Sequence, residues 1–330
     1  DSRVSRGLGD VYKRQAYVNP DVVSHFDTLK IEELEKDKVH VSGCRGSSPP
    51  KDHKVCINLA GGFRNGMEII LTGLDIEEKA KVFTEVLFNS VGGQEQFDEV
   101  FIELQRTDKE NPTTNEQAMA SLVISVKSSN QELVGRLFSA KIIELALANI
   151  PGFFAESGPK SSGPVIIYWP ALLDSKYITE KVHIDGKEIE VVPTSQLDYE
   201  EIYYQREPIS IDDIEISDQK EIYFGDLFGT RSGDKGGCAN LGVWAKNNLS
   251  YSFLYNFLTI EKLKELLPDL SEYKIERFEL PNINSLNFYI HDILEDGVSS
   301  NNRKDGQAKS LGEYLRVKKI LVPDSILLET

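Results

Sequence analysis

Cysteine is scarce in this 330-residue chain: Cys44, Cys56 and Cys238 are its only three. An odd and small number excludes a disulfide framework and suits a reducing compartment. Positive charge is in deficit as well, with Lys+Arg 37 against Asp+Glu 53 and a formal net charge of −16. Such a field repels phosphate, which argues against a nucleic-acid partner and against an anionic membrane surface. Long apolar runs are also missing. A spanning helix needs roughly 18 or more apolar residues, and the most apolar stretch, Ile142 to Ala155, is broken by Glu144 and Pro151. No basic start with an apolar centre marks a signal peptide, so the expected location is cytoplasmic.

What is present is ordinary globular material, 40% hydrophobic and 27% charged. The length predicts about two domains, each able to bury a core without staples. Residues 1–15 have no periodicity, cap or apolar face. They resemble a translated sequencing-adapter remnant, Gly9-Asp10-Val11-Tyr12-Lys13-Arg14-Gln15 carrying the likeness. They are expected to be a non-native tail, with a mobile native terminus as the alternative. Genuine sequence then starts mid-domain near Ala16.

Residues 16–193 alternate strand-like and helix-like segments. His40–Ser42, Lys54–Ala60 and Met67–Thr72 read as strands, with Gly61–Gly66 as a tight turn on its Asn-Gly pair. Asp75 and Glu78 predict a capping box for a helix with Ile76, Ala80, Phe83 and Leu87 on one face, ended by Gly92-Gly93. Phe97–Leu104 and Ser121–Lys127 read as strands. Asn130 is expected to cap a second helix through Asn149, apolar nearly all round and therefore buried, stopped by Pro151-Gly152. Val165–Trp169 is a further strand, and Lys181–Ile184 with Glu188–Val192 a hairpin around Asp185-Gly186. This portion is α/β or α+β. Residues 194–220 hold eight acids against Arg206 and Lys220, and read as a solvated acidic linker.

Residues 221–330 form a smaller unit. Ile222–Phe228, Asn240–Ala245, Lys274–Leu280, Leu286–His291 and Lys319–Val322 are strand-like. Thr259 caps one helix, with Pro268 beyond its end, and Ser310 with Glu313 makes a capping box for another. Strands interleaved with two helices suggest a ferredoxin-like α+β sandwich.

The string from Thr230 to Asn240, T-R-S-G-D-K-G-G-C-A-N, is the most informative in the chain. Gly233, Gly236 and Gly237 could turn backbone N–H groups toward one point, a nest suited to an anion. Arg231 and Lys235 add charge, Ser232 a hydroxyl, and Asp234 could orient either cation. It is not a P-loop: Asp234 separates Gly233 from Lys235, and Gly236 stands where Ser or Thr should hold magnesium. The second reading is a tight turn whose Arg, Asp and Lys pair among themselves. His40, Cys44, His53 and Cys56 match no familiar zinc spacing and read as buried thiols with surface histidines. No metal site is assigned. Cys238 beside Lys235 could have a lowered pKa, His291 reads as a half-buried strand residue, and Asp292, Asp296 and Asp305 could gather around a cation.

The segment R-S-G-D-K-G-G-x-A-N-x-G-V-W, residues 231–244, resembles the signature of the AtuA-like family, named for acyclic terpene utilisation. Further pieces agree in order: Leu280-Pro281-Asn282, Leu286-Asn287-Phe288, Asp292 with Leu294, Gly297-Val298, and Asp305, Gln307, Lys309 with Leu311–Leu315. Upstream, Ala16–Val23, Val41–Gly46 and Tyr168-Trp169-Pro170 resemble family segments. Departures stand at His25, Cys238, Asp296 and Ala308, the last bearing on how tightly Asp305–Lys309 can turn. The resemblance implies a large N-terminal domain, here lacking its opening half, followed by a small ferredoxin-like one. It also implies a place in catabolism of acyclic terpenoid or branched acyl-CoA compounds, alongside acyl-CoA carboxylases, with no assigned reaction or cofactor.

Two expectations follow. In one the protein is an enzyme whose Arg231–Gly237 loop binds an anionic group of an acyl-CoA-type ligand, supported by Asn240, Asn287, Gln307 and Lys309. In the other it is a non-catalytic scaffold or accessory partner of an acyl-CoA carboxylase.

Overall fold

The structure, a computed structural model, describes residues 16–18, 22–148, 150–191 and 218–327. The expected tail 1–15, Asn149, and all of the expected linker except residues 218–220 lie outside the described residues. The chain forms two compact units. One is Asn58–Ile167; the other takes the described residues up to Ile57 together with those from Tyr168 onward.

The Asn58–Ile167 unit is built on a five-stranded sheet. Its strands are β1 (Asp52–Thr72), β2 (Glu99–Gln105), β3 (Met119–Ser128), β4 (Phe153–Ala155) and β5 (Gly163–Asp174), in the order β5-β1-β3-β2 with β4 also paired to β1. Strand alternation points Met67, Ile69 and Leu71 of β1, and Leu122, Ile124 and Val126 of β3, into one core. Helices α1 (Ile76–Ser90) and α2 (Arg136–Glu144) add Phe83, Leu87, Phe138 and Ile142 to it.

Four local expectations are corrected here. Gly61–Gly66 is no turn, because β1 runs straight through it. A Cβ at Gly61 would lie 2.9 Å from the Ile167 side chain, and one at Gly66 would lie 2.6 Å from the Ile124 carbonyl oxygen. These glycines serve close strand packing. Buried Asn65 points inward and donates to the Gly135 and Lys160 carbonyls, at 3.2 and 2.9 Å. Asp75 makes no side-chain cap, because its backbone is left-handed at φ 56. The second helix starts at Arg136, because Asn130 closes an Asx turn on the Glu132 N–H (3.0 Å) instead. It is not buried all round: Leu137 is 75% exposed. Gly92 and Gly93 do end α1, with positive φ and an N–H from Gly93 to the Phe88 carbonyl.

In the other unit, Ala16–Val18, Val23–His25 and Arg45–Ser47 form a small antiparallel sheet, and Lys30–Glu35 pairs with Lys38–Ser42. The Asp185-Gly186 hairpin forms as expected, both residues at positive φ between Glu180–Ile184 and Lys187–Val191. The C-terminal part runs β6 (Gln219–Tyr223), α3 (Phe224–Leu227), β7 (Gly229–Lys235), β8 (Cys238–Trp244), α4 (Asn248–Phe257) and α5 (Ile260–Leu266). It continues with β9 (Ile275–Leu280), β10 (Ser285–Ile290), α6 (Leu311–Arg316), β11 (Lys319–Pro323) and α7 (Asp324–Leu327). The strand expected over Ile222–Phe228 stops at Tyr223, because Phe224 and Leu227, three apart, bury themselves as one helical turn. Thr259 caps α5 through the Lys262 N–H at 3.1 Å.

From β8 to β11 the element order is βαββαβ, and β10 lies between β8 and β9, antiparallel to both. That is the split βαβ of a ferredoxin-like domain. The fourth strand departs from the pattern. β11 pairs with β6, and β7 takes the vacated place beside β8, giving the order β7-β8-β10-β9. Ala239, Leu241, Val243, Leu286, Phe288 and Ile290 fill the helix-covered face with Leu254, Leu263 and Leu315. Alternation therefore sends Asn240, Gly242, Trp244, Asn287 and Tyr289 to the opposite face.

Candidate functional site

The string Thr230 to Asn240 is a hairpin. Gly229 through Lys235 pair residue by residue with Trp244 through Cys238, leaving Gly236-Gly237 as a two-residue turn with Gly236 at φ +67. The strand's backbone is engaged in the ladder and does not converge as a nest. Nor do the charges pair as a turn would have them: Arg231, Gly233 and Lys235 share one face, and Ser232 and Asp234 the other. The Lys235 ammonium donates to the Asp234 carbonyl oxygen at 2.8 Å.

The helix-free face carries a cleft of about 230 Å³. Cross-strand register orders its lining in rows along the strands. Lys235 opposes Cys238 at the turn end. Asn240 opposes Tyr289 in the next row, then Gly242 opposes Asn287, and Trp244 opposes Ser285, which opposes Leu280. Six residues separate the first row from the last on β8, about 20 Å at a strand's rise per residue. Gly242 keeps the middle of the floor open. The Asn240 side-chain amide donates to the Asn287 side-chain oxygen Oδ1 at 3.3 Å, which leaves this amide pair further donor and acceptor capacity for a guest. Ile283 and Phe26 complete the apolar end. A recess of about 20 Å³ adjoins the polar end and shares Lys235 and Tyr289, with Lys54 and Tyr168 also on its wall.

Of the residues singled out in the sequence, the structure brings Lys235, Asn240 and Asn287 together in the cleft and places Gly236 and Gly237 on the recess. Arg231 is exposed on the same sheet face, on the edge strand. Ser232 accepts the Gly312 N–H at 3.0 Å, on the opposite face. Gln307 and Lys309 are exposed on the segment before α6 and are not among the residues lining the cleft. Sequence reading missed Trp244, Tyr289, Leu280, Ile283 and Phe26. Period-two alternation through 238–244 and 285–290 was the available signal for the sheet residues.

The capping box expected from Ser310 and Glu313 is absent, because the Ser310 side chain is already committed. Asp305 accepts the Lys309 N–H (2.9 Å), the Ser310 N–H (2.8 Å) and the Ser310 hydroxyl (2.6 Å). Burial works to raise its carboxyl, and the bonds from Ser310 and Lys309 outweigh that and hold it below the usual carboxylate range. The turn closes despite Ala308, which sits at φ 51. Asp305→Ala should lower stability by about 1–2 kcal/mol at neutral pH, read as a lower urea midpoint with unchanged slope. A depressed carboxyl contributes fully above its unfolded pKa and loses that contribution as pH falls through the folded value. The gap between wild type and variant should therefore close in acid below the ordinary carboxylate range.

Other ligand-type side chains fall apart spatially. Cys44 and Cys56 are exposed rather than buried, and Cys238 is buried, its sulfur accepting the Asp292 N–H at 3.4 Å. His291 is half-buried and bonded to Glu276. Among the described residues no three His, Cys, Asp or Glu side chains gather as a metal would need, Asp292, Asp296 and Asp305 included. Among them, too, no helix is long and apolar enough to cross a membrane.

A family model described as acyclic terpene utilisation family protein AtuA matches residues 11–184. The chain belongs to that family. A second model, the AtuA ferredoxin-like domain, matches residues 223–321 and so takes in β7 through β10. Searches of curated proteins and of solved structures returned no match. In AtuA terms the cleft floor is ferredoxin-like domain, whereas Phe26 and Lys54 fall within the first matched segment.

Proposed function

We propose that this AtuA-family protein binds an acyclic terpenoid acid, or an acyl derivative of one, in the sheet-face cleft. One observation carries the reading: the cleft is divided lengthwise. Lys235 and the Asn240–Asn287 amides occupy one part, and Trp244, Leu280, Ile283 and Phe26 the other. An ammonium and two amides match a carboxylate or thioester carbonyl. A flat run of aromatic and branched side chains matches a branched hydrocarbon tail. The anionic group sits by the Arg231–Gly237 hairpin, at its Lys235 end.

Trp244 is 43% exposed on the cleft wall and reports directly on occupancy. Titration with geranic and citronellic acids should give saturable quenching of tryptophan emission. Burial of each methylene adds about 0.8 kcal/mol, so affinity should climb roughly fourfold per carbon from short acids upward. Absence of saturable quenching and of calorimetric heat for both the acids and their thioesters would end this reading.

A further inference from the structure

We infer that Phe26 is the end wall that sets how long a tail the cleft accepts, and that Asn282 is the positioning residue holding Phe26 there. The inference rests on the cleft being the acyl site proposed above and adds a length-specificity determinant to it.

Phe26 opens a single 3-10 turn, Phe26–Thr28, after the short strand Val23–His25. Such a turn has little internal support; the Thr28 hydroxyl donates to the His25 carbonyl oxygen at 2.7 Å and accepts the Arg45 N–H at 2.8 Å, which braces the far end of the turn from Phe26. Asn282 supplies an external tether. It sits in the turn Pro281–Ile283 between β9 and β10, closed by Asn284 at φ 50. Its side-chain amide nitrogen donates to the Phe26 carbonyl oxygen at 2.7 Å and to the Leu29 carbonyl oxygen at 3.3 Å. The two bonds bracket the 3-10 turn. Its amide oxygen is buried with no hydrogen-bond partner among the described residues. Asn282 therefore acts through its two donors, a function that an aspartate of the same shape cannot perform. The adjoining Ile283 lines the same apolar end as Phe26.

Phe26 thus lines the cleft from beside the Pro281–Ile283 turn, past the last row of the floor, Leu280–Ser285–Trp244, where a tail lying along the strands would arrive. Acyl length is then read by a residue of the first family segment over a floor made by the ferredoxin-like domain. The pocket is composite.

The experiment is a titration of the full chain with unbranched carboxylates from six to sixteen carbons, followed by tryptophan emission. Wild type should tighten with length and then lose affinity beyond an optimum. Phe26→Ala should move that optimum outward by two or more carbons while acids of six to eight carbons bind within about twofold of wild type. Asn282→Asp should shift the optimum the same way, and Asn282→Gln, which keeps the donors, should shift it less. An unchanged optimum in Phe26→Ala, or a uniform loss at every length, overturns the inference and leaves the acyl site standing. No binding at any length in wild type overturns both. A ligand-free readout tests the tether separately: amide hydrogen exchange over residues 22–30 should rise at least tenfold in Asn282→Asp at unchanged global stability. Unchanged exchange there overturns the positioning role.

Discussion

Gly237→Ala is expected to lower stability by about 3 kcal/mol or more, at the upper end for overpacking, because the atom it would strike is backbone. A Cβ at this position would lie 2.0 Å from the Glu295 carbonyl oxygen. That carbonyl cannot swing away. The Leu294 N–H binds the Gly237 carbonyl at 2.9 Å, and the Gly297 N–H binds the Leu294 carbonyl at 2.8 Å. Glu295 itself is in the left-handed region at φ 51. The turn and its neighbour are locked together, and an added methyl must break that lock.

The other glycines of the string rank below it. At Gly236 a Cβ meets the Tyr168 ring at 2.9 Å, and φ is +67. A ring edge can yield, so Gly236→Ala should be limited mainly by its backbone, about 1–2 kcal/mol. Gly233 has nothing nearer than the Asn240 side-chain oxygen at 4.0 Å, and Gly233→Ala should change stability by less than about 1 kcal/mol. Urea unfolding of the three variants checks the order Gly237, Gly236, Gly233. Equal effects at Gly233 and Gly237 would mean that the close approach of Glu295 is not what requires glycine.

Those three residues also show how far the sequence could be read. Their density marked the string, and their types were compatible with either an anion nest or a turn. The choice depended on partners remote in the chain, Glu295 and Tyr168, which no local pattern reveals. In the ferredoxin-like domain β8, β10 and α5 were legible because alternation at 238–244 and 285–290 and the cap at Thr259 are local signals, whereas the helix α4 and the edge strand β7 were not anticipated. Gly61–Gly66 misled because Asn-Gly is a turn pair only when the backbone needs to turn, and here the neighbours Ile167 and Ile124 need room. Asn130 misled in the same way, its carboxamide satisfying an Asx turn before the helix could begin. Within the site, Lys235, Asn240 and Asn287 were chosen for their chemistry. Their shared face follows from register, and the apolar half followed only once β10 was known to lie beside β8.

Reversal of charge at Lys235 should separate from reversal at Arg231 by an order of magnitude or more. Lys235 lies on the cleft, its ammonium also donating to the Asp234 carbonyl. A charge-assisted bond to a ligand carboxylate is worth about 1.5–3 kcal/mol, so Lys235→Glu should weaken geranic acid binding by roughly 10- to 100-fold. Lys235→Gln, which keeps a donor and loses the charge, should fall between. Arg231 points from the same face but is exposed on the edge strand, opposite Gly242 and not among the residues lining the cleft. Its influence on the ligand passes through water and salt, where separation beyond about 8–10 Å is largely screened. Arg231→Glu should therefore change affinity no more than about threefold, and that small effect should vanish in 0.5 M salt. Neither side chain is buried, so circular dichroism and urea midpoints should match wild type in both variants. Equal losses from the two reversals would place the anion in a diffuse field over the hairpin instead of at the turn end of the cleft. A loss confined to Lys235 that persists at high salt fits direct contact at the head of an acyl chain lying along β8 and β10.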